Sequence, residues 1–118
     1  MTAGNSTAIW YEAWNSRDAG AILALYGDTL EFMSPGVRAL GLSETATLTC
    51  KVDFAQYLER ALPRVPNLRF EPIADCVGVR GHTLVYRNQA GAVVAETHRH
   101  DAKGLIVHAE AAYCGPIA

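Results

Sequence analysis

The chain has 118 residues, of which 50% are apolar and 19% charged, a composition typical of one soluble, well-packed domain. We therefore predict a single domain over residues 1–118. Ten Lys and Arg residues stand against twelve Asp and Glu residues, and no segment concentrates the basic side chains that phosphate binding requires, so nucleic-acid binding is disfavoured. No apolar run approaches the ~18 residues of a membrane span, which also disfavours membrane insertion.

The cysteines and the N-terminal segment indicate a reducing, cytoplasmic location. Cys50, Cys76 and Cys114 are odd in number and far apart, which supports neither a disulfide framework nor a cysteine-built zinc site. They are predicted to be small buried apolar residues. The segment MTAGNSTAIW has neither the basic nor the apolar region of a signal peptide.

Two short helices are predicted at the N-terminal end. The first covers residues 5–17, with Asn5 or Ser6 as its N-cap, and the second follows the N-cap Asp18 and stops at Gly27. Their apolar stripes consist of Ile9, Trp10, Ala13 and Trp14 in the first helix and Ile22, Leu23 and Tyr26 in the second.

The middle of the chain predicts a strand, a loop and a third helix. Residues 28–33 form the short strand, which ends at a turn beginning with Ser34. Residues 37–50 show poor periodicity and are predicted to be a long loop that could act as a lid. The third helix carries the clearest helical stripe in the sequence, which consists of Phe54, Tyr57, Leu58, Ala61 and Leu62.

The second half of the chain predicts four long antiparallel strands, over residues 68–79, 82–88, 92–100 and 105–114, separated by glycine-containing turns. Helices on one side of an antiparallel sheet make an α+β fold. In such a fold a curved sheet can wrap the helices and leave a cavity between the two layers. That cavity is the expected ligand site.

Three segments carry a resemblance that covers nearly the whole chain: WYEAWNSRDAGAILALYGDTLEF, FAQYLERALPRVPNLRFE and DAKGLIVHAEAAYC. They resemble the nuclear transport factor 2-like superfamily, which includes SnoaL-like polyketide cyclases, ketosteroid isomerases, limonene epoxide hydrolases and scytalone dehydratases. The resemblance implies a cone-shaped, cystatin-like α+β domain in which a curved antiparallel β-sheet wraps around three N-terminal helices. It also implies a homodimer through the exposed sheet face.

The resemblance to ketosteroid isomerases implies three catalytic positions, because these enzymes use an aspartate base, a tyrosine and a protonated carboxylic acid. The base falls on Ser34, the tyrosine on Trp10 and the carboxylic acid on Glu96. The acid/base aspartate of the SnoaL-like cyclases falls on Ala111. Since Ser34 and Ala111 carry no carboxylate, steroid isomerisation by the usual route is not expected, and only the role of Glu96 is retained.

Glu96, His98 and His100 alternate along one predicted strand and should share a face. Because Glu96 is in phase with the apolar Val94, this face is predicted to point inward, and a carboxylate beside an imidazole is suited to acid–base catalysis. Two other interpretations stay open: the residues lie on the outer face or form a structural hydrogen-bonded pair, or they bind zinc, iron or manganese.

The predicted pocket consists of aromatic, small and hydroxyl side chains that the resemblance places around the cavity. Ala109, Ala111 and Tyr113 of the last strand are predicted to face the cavity, whereas the inward face of strand 82–88 stays open. The pocket residues are Trp10, Trp14, Tyr26, Phe32, Ser34, Tyr57, Leu58, Ala109, Ala111 and Tyr113.

Two functions are therefore expected as alternatives. In the first, the chain binds a small apolar organic ligand and acts on it as an isomerase, cyclase, dehydratase or hydrolase, with Glu96 and His98 as catalytic residues and no cofactor or metal. In the second, it is a non-catalytic ligand-binding or dimeric interaction module of the same fold.

Overall fold

The computed structural model describes residues 3–116, with side chains from residue 6 onward. None of the helices in this range is long and apolar enough to cross a membrane. The elements in chain order are α1 (Ala3–Ser16), α2 (Ala19–Leu23), β1 (Tyr26–Met33), α3 (Pro35–Ala39), β2 (Thr47–Cys50), α4 (Lys51–Ala61), a 3-10 turn (Leu62–Arg64), β3 (Glu71–Val77), β4 (Gly81–Arg87), β5 (Val93–His100) and β6 (Ile106–Tyr113).

The helix boundaries differ from the predicted ones at two points. Asn5 and Ser6 lie inside α1, so neither is its N-cap, and the left-handed residue at the end of α1 is Arg17, with φ of 58°. Asp18 caps α2 as predicted, by accepting a hydrogen bond from the Ala21 amide. Gly27 is not the stop of α2, because the chain is already extended in β1 at that position.

The predicted loop over residues 37–50 is instead partly ordered secondary structure. The Ser34 side chain accepts a hydrogen bond from the Gly36 amide and caps α3, and Pro35 at the first helical position favours the same start. Further on, β2 pairs with β1, placing Leu48 opposite Phe32. Val37 and Leu48 are both buried, so this segment packs onto the core and is not a free lid.

The sheet has six strands in the order β2-β1-β6-β5-β4-β3, which confirms the α+β class and the four long strands of the second half. The prediction of an antiparallel sheet is wrong for one pair, because β1 and β6 run parallel. The helices cover one face of the sheet, with α1 contacting β3 and α4 contacting β1 and β2.

Aromatic side chains fill the space between helices and sheet. Phe54 of α4 lies at the centre, with its ring centroid 4.6 Å from that of Tyr26 and 4.5 Å from that of Phe32. Leu84 and Tyr86 are buried and point inward from β4. They show which face of strand 82–88 points towards the helices, a question that the sequence left open. The cysteine prediction is wrong, since Cys76 and Cys114 are exposed and Cys50 is only half-buried.

Candidate functional site

A buried carboxylate with two hydrogen-bonded partners lies at the middle of β5. Glu96 is only 4% exposed. The Tyr86 hydroxyl donates to Glu96 Oε1 at 2.8 Å, and Glu96 Oε2 lies 2.8 Å from Nε2 of His98. Both carboxylate oxygens are therefore used, and His98, which is 1% exposed, is held in a fixed orientation.

The register between β4 and β5 brings a second histidine to this pair. His82 stands directly opposite His98, and Leu84 stands opposite Glu96. The close approach depends on Gly81, because a Cβ at that position would collide with the backbone carbonyl oxygen of His98. A glycine at the start of β4 thus permits the two strands to align their histidines.

His82 forms its own carboxylate–imidazole pair, which sequence reasoning missed. His82 Nδ1 lies 2.9 Å from Asp75 Oδ1, and the Thr7 hydroxyl donates to the other carboxylate oxygen at 2.7 Å. The His82 and His98 rings meet edge to face, with centroids 5.5 Å apart. Two imidazoles, each hydrogen-bonded to a carboxylate, therefore lie next to each other at one end of the sheet.

These two histidines line one cavity of about 210 Å³. Its wall is formed by Ser6, Ile9, Trp10, Ala24, Leu25, His82, His98, His100, Gly104, Leu105 and Ile106. We call it the inner cavity. A second cavity of about 330 Å³ shares Ser6, His82, His100 and Gly104 with it, and extends along the turn at residues 77–81. We call this the outer cavity. Glu96 does not line the inner cavity and reaches it only through its hydrogen bond with His98.

His100 completes the histidine cluster. Its ring centroid lies 5.3 Å from that of His82 and 6.4 Å from that of His98. Burial, together with the neighbouring His82 and His98, lowers the pKa of His100 below its usual value of 6.5. Over the described range 3–116, no group of three or more His, Cys, Asp or Glu side chains is arranged to hold a metal ion.

The residues predicted to form the pocket separate into three groups. Trp10 lines the inner cavity, whereas Trp14, Tyr57 and Tyr113 line a different cavity of about 290 Å³ beside α3 and α4. Ser34 is buried as the cap of α3. The remaining residues pack in the core or at its edge: Tyr26, Phe32, Leu58, Ala109 and Ala111.

The predicted inward face of the last strand agrees with the strand register. Ala109 pairs with His98, Ala111 with Glu96 and Tyr113 with Val94, so all three share the face of the acid–base pair. Ala109 is fully buried, however, and Tyr113 is 56% exposed. Ala111 thus places a methyl group, not a carboxylate, opposite Glu96.

The tyrosine hydroxyls around Glu96 are held in their neutral form. Burial, with the nearby charge of Glu96, raises the pKa values of Tyr26 and Tyr86 far above the usual 10. The indole N–H groups of Trp10 and Trp14 donate to the Tyr26 hydroxyl at 3.1 and 3.4 Å. The buried hydroxyl of Tyr11 has no hydrogen-bond partner in the part of the chain that is described.

The curved sheet, the helices on its inner face and the buried carboxylate–imidazole pairs define the class, a small α+β cone protein. The chain is similar to a SnoaL-like protein of unknown function from Burkholderia thailandensis, with 32% identity and a TM-score of 0.89. The match covers 96% of this chain and 94% of that one. The chain therefore belongs to the SnoaL-like family.

More distant structures share the fold. A nuclear transport factor 2-like protein of unknown function from Burkholderia pseudomallei is 17% identical, with a TM-score of 0.76 over 97% of this chain and 92% of that one. TerC, crystallised with polyporic acid, is 15% identical, with a TM-score of 0.74 over 93% of this chain and 89% of its own. No protein-family model matches the chain, and no curated protein does.

Proposed function

We propose that the chain binds a small, largely apolar organic molecule in the inner cavity and that His98, hydrogen-bonded to Glu96, transfers a proton to or from it, without a cofactor. The observation that carries this proposal is the position of His98. It lines the inner cavity and is hydrogen-bonded to a buried carboxylate at 2.8 Å. Isomerases, cyclases, dehydratases and hydrolases of small molecules all depend on such a proton transfer.

The hydrogen bonds assign the roles within the pair. With Glu96 in its ionised form, which only accepts, the proton between the two groups belongs to His98 Nε2. Nδ1 of the neutral ring then carries the lone pair that can take a proton from a ligand. The negative charge of Glu96 stabilises the imidazolium that results, and the Tyr86 hydroxyl holds the carboxylate in place.

The walls of the inner cavity indicate the kind of ligand. Most of the lining side chains are apolar, among them Ile9, Trp10 and Leu105. The volume of about 210 Å³ is below the ~300–1,000 Å³ of pockets for drug-sized ligands. The cavity therefore suits a molecule of about one or two small rings, and its apolar walls would strengthen the charge interactions inside.

This proposal predicts catalysis of a simple proton abstraction from carbon. The probe is 5-nitrobenzisoxazole: a base removes its C–H proton, the N–O bond breaks, and the coloured phenolate product is followed by absorbance. The wild-type chain should react faster than free imidazole at the same concentration. The rate of His98→Gln should be at least ~10²-fold lower than that of wild type, because one general base usually contributes that much. Glu96→Gln retains the imidazole and should also react more slowly than wild type.

The matched control is His108→Gln. His108 also lies beside a carboxylate, 3.1 Å from Glu31, but it does not line the inner cavity, so its removal should leave the rate unchanged. Circular dichroism shows whether each variant is folded. A wild-type rate no higher than that of free imidazole, or a folded His98→Gln variant at full rate, would contradict the proposal.

A non-catalytic ligand-binding role is the second candidate, and the cavity beside α3 and α4 favours it. That cavity, of about 290 Å³, is lined by Trp14, Tyr57 and Tyr113, and neither Glu96 nor His98 is part of its wall. A molecule seated there would be bound without contact with the acid–base pair. Native mass spectrometry that finds a retained organic ligand, together with no catalysis of the probe reaction, would favour this role.

The partner proposed for the chain is a second copy of itself. The outer face of the sheet carries a continuous row of small apolar side chains across four strands, because Ala74 pairs with Val85, Val85 with Ala95 and Ala95 with Ala112. Beside this row the hydroxyls of Thr83 and Thr97 bond to each other at 2.9 Å. An apolar row whose neighbouring hydroxyls are hydrogen-bonded to each other is suited to pairing with the same row of a second copy.

A further inference from the structure

We infer that His82, held by Asp75, is a second ligand-binding group of the inner cavity, and that the ligand it selects is a small planar phenol or enol whose hydroxyl group donates to the free nitrogen of His82. This inference rests on the proposed function for the use of the inner cavity, but it concerns a different histidine. It specifies the chemical class of the ligand.

The hydrogen bonds of Asp75 fix which nitrogen of His82 faces a ligand. Asp75 Oδ2 accepts from the Thr7 hydroxyl and Oδ1 lies 2.9 Å from His82 Nδ1. With Asp75 ionised and the ring neutral, Nδ1 of His82 carries the hydrogen and Nε2 is left as an acceptor. The ligand must therefore bring a hydrogen-bond donor.

An acidic hydroxyl is the donor that suits this place. A cationic amine would bring its charge against apolar walls that include Ile9 and Leu105, which is costly. A hydroxyl on an unsaturated carbon donates to neutral His82, and after losing its proton it accepts from the protonated ring. An aliphatic alcohol can form a hydrogen bond with either state of the ring, but it is too weak an acid to give up its proton and pair as an anion with the charged ring.

The shape of the cavity favours a flat molecule. The rings of His82 and His98 meet edge to face with centroids 5.5 Å apart, and the indole of Trp10, whose centroid lies 5.2 Å from that of His98, forms part of the same wall. Aromatic rings pack well against such an arrangement. The reacting carbon of the ligand would then lie towards His98 while its hydroxyl group is held by His82.

The test compares two probes that differ only in the hydroxyl group, 4-nitrophenol and nitrobenzene. Binding is measured by calorimetry, and the visible absorbance of bound 4-nitrophenol reports loss of its proton. Wild type should bind 4-nitrophenol at least about tenfold more tightly than nitrobenzene, the effect of one good hydrogen bond. His82→Phe should abolish that preference without weakening nitrobenzene binding, and His108→Phe should change neither affinity.

Asp75→Asn keeps His82 and tests its positioning. An amide can donate as well as accept, so the ring is no longer held with its acceptor nitrogen free. The preference for 4-nitrophenol should therefore fall several-fold while the affinity for nitrobenzene stays the same. This variant also decides the question if His82→Phe fails to fold.

Equal affinities of the wild-type chain for the two probes, or an unchanged preference in the folded His82 and Asp75 variants, would overturn the inference. Its failure can be told apart from failure of the proposed function. If His98→Gln retains full proton-abstraction rate while His82→Phe loses the hydroxyl preference, the proposed function fails and His82 remains a ligand-binding group. If His98→Gln loses the proton-abstraction rate while His82→Phe keeps the hydroxyl preference, only the role of His82 is wrong.

Discussion

Burial keeps the phenol groups of the interior in their neutral form. It raises the pKa of Tyr57 to about 12, although a hydrogen bond with Ser34 opposes part of the shift. It also raises the pKa of Tyr11 to about 12, with the charges of Glu96 and Asp75 adding to the effect. These side chains keep their protons near neutral pH and do not serve as bases there.

These pKa values predict a loss of stability in alkali. Below pH 10 both the folded and the unfolded chain keep the Tyr57 proton, so this group makes no difference to the free energy of unfolding. Between about pH 10 and 12 the unfolded chain releases the proton while the folded chain retains it, and stability falls as the pH rises. Urea unfolding of wild type and Tyr57→Phe across this range measures the effect.

The variant should lose less stability than wild type as the pH rises above 10, since it has one phenol fewer to release. Absorbance of the ionised phenol group, recorded in the same solutions, separates titration in the folded state from titration after unfolding. Identical pH dependence of the two proteins would show that Tyr57 ionises equally easily in both states.

Among the secondary-structure elements, the hairpin of β3 and β4 sets the geometry of the histidines. We predict that Gly81→Ala destabilises the fold by about 1–3 kcal/mol, the usual cost of overpacking, because the new methyl group meets the rigid backbone of His98. The strands must move apart at the site where His82 and His98 face each other. Chemical denaturation measures the stability, and the nitrobenzisoxazole assay should also show a loss of rate.

Gly78→Ala is the control for this prediction. Gly78 lies in the turn of the same hairpin, and a Cβ there would make only an ordinary contact at 3.6 Å with the Gly81 carbonyl oxygen. Its stability and rate should stay close to those of wild type. If Gly81→Ala were as stable as Gly78→Ala, the close approach of β4 to β5 would not be the constraint that we describe.

The elements that could be predicted from the sequence are those with a strong local signal. The stripe beginning at Phe54 predicted α4, and the glycine-containing turns in the second half of the chain marked the four long strands. The segment after Ser34 was missed because α3 is only one short turn of helix and β2 depends on pairing with β1. Neither produces a periodic pattern long enough to recognise.

The candidate site could be predicted only in part, for a related reason. Glu96 and His98 were found because Val94 shows which phase of β5 is buried. Asp75 and His82 are joined across a hairpin in a diagonal contact, since the residue directly opposite His82 is Val77. Such a contact depends on the register of two strands, and β3, exposed along nearly its whole length, offers no alternation from which to infer it.

Assembly of the chain into a dimer is tested by a change in the apolar row on the outer sheet face. Native mass spectrometry or light scattering of wild type should give twice the mass of one chain. Val85→Arg places a charge at the middle of this row and should produce monomers, because a buried unpaired charge strongly opposes association.

The control for the dimer is Val52→Arg, since Val52 is 71% exposed on α4 and α4 packs on the opposite side of the sheet. It should leave the mass unchanged. A monomeric wild-type chain would show that the proposed dimer does not form. A dimeric Val85→Arg variant would show that the interface does not include the apolar row.

The parallel pairing of β1 with β6 has a consequence for how the protein is made. β6 is the last of the described strands, yet it lies between β1 and β5 in the sheet. A nascent chain therefore carries β1 with an open edge until the residues up to β6 have left the ribosome. Contacts between such distant parts of a chain form late, and an unpaired edge invites mispairing with other chains. Slow translation before β6 would prolong that exposure and the need for chaperones.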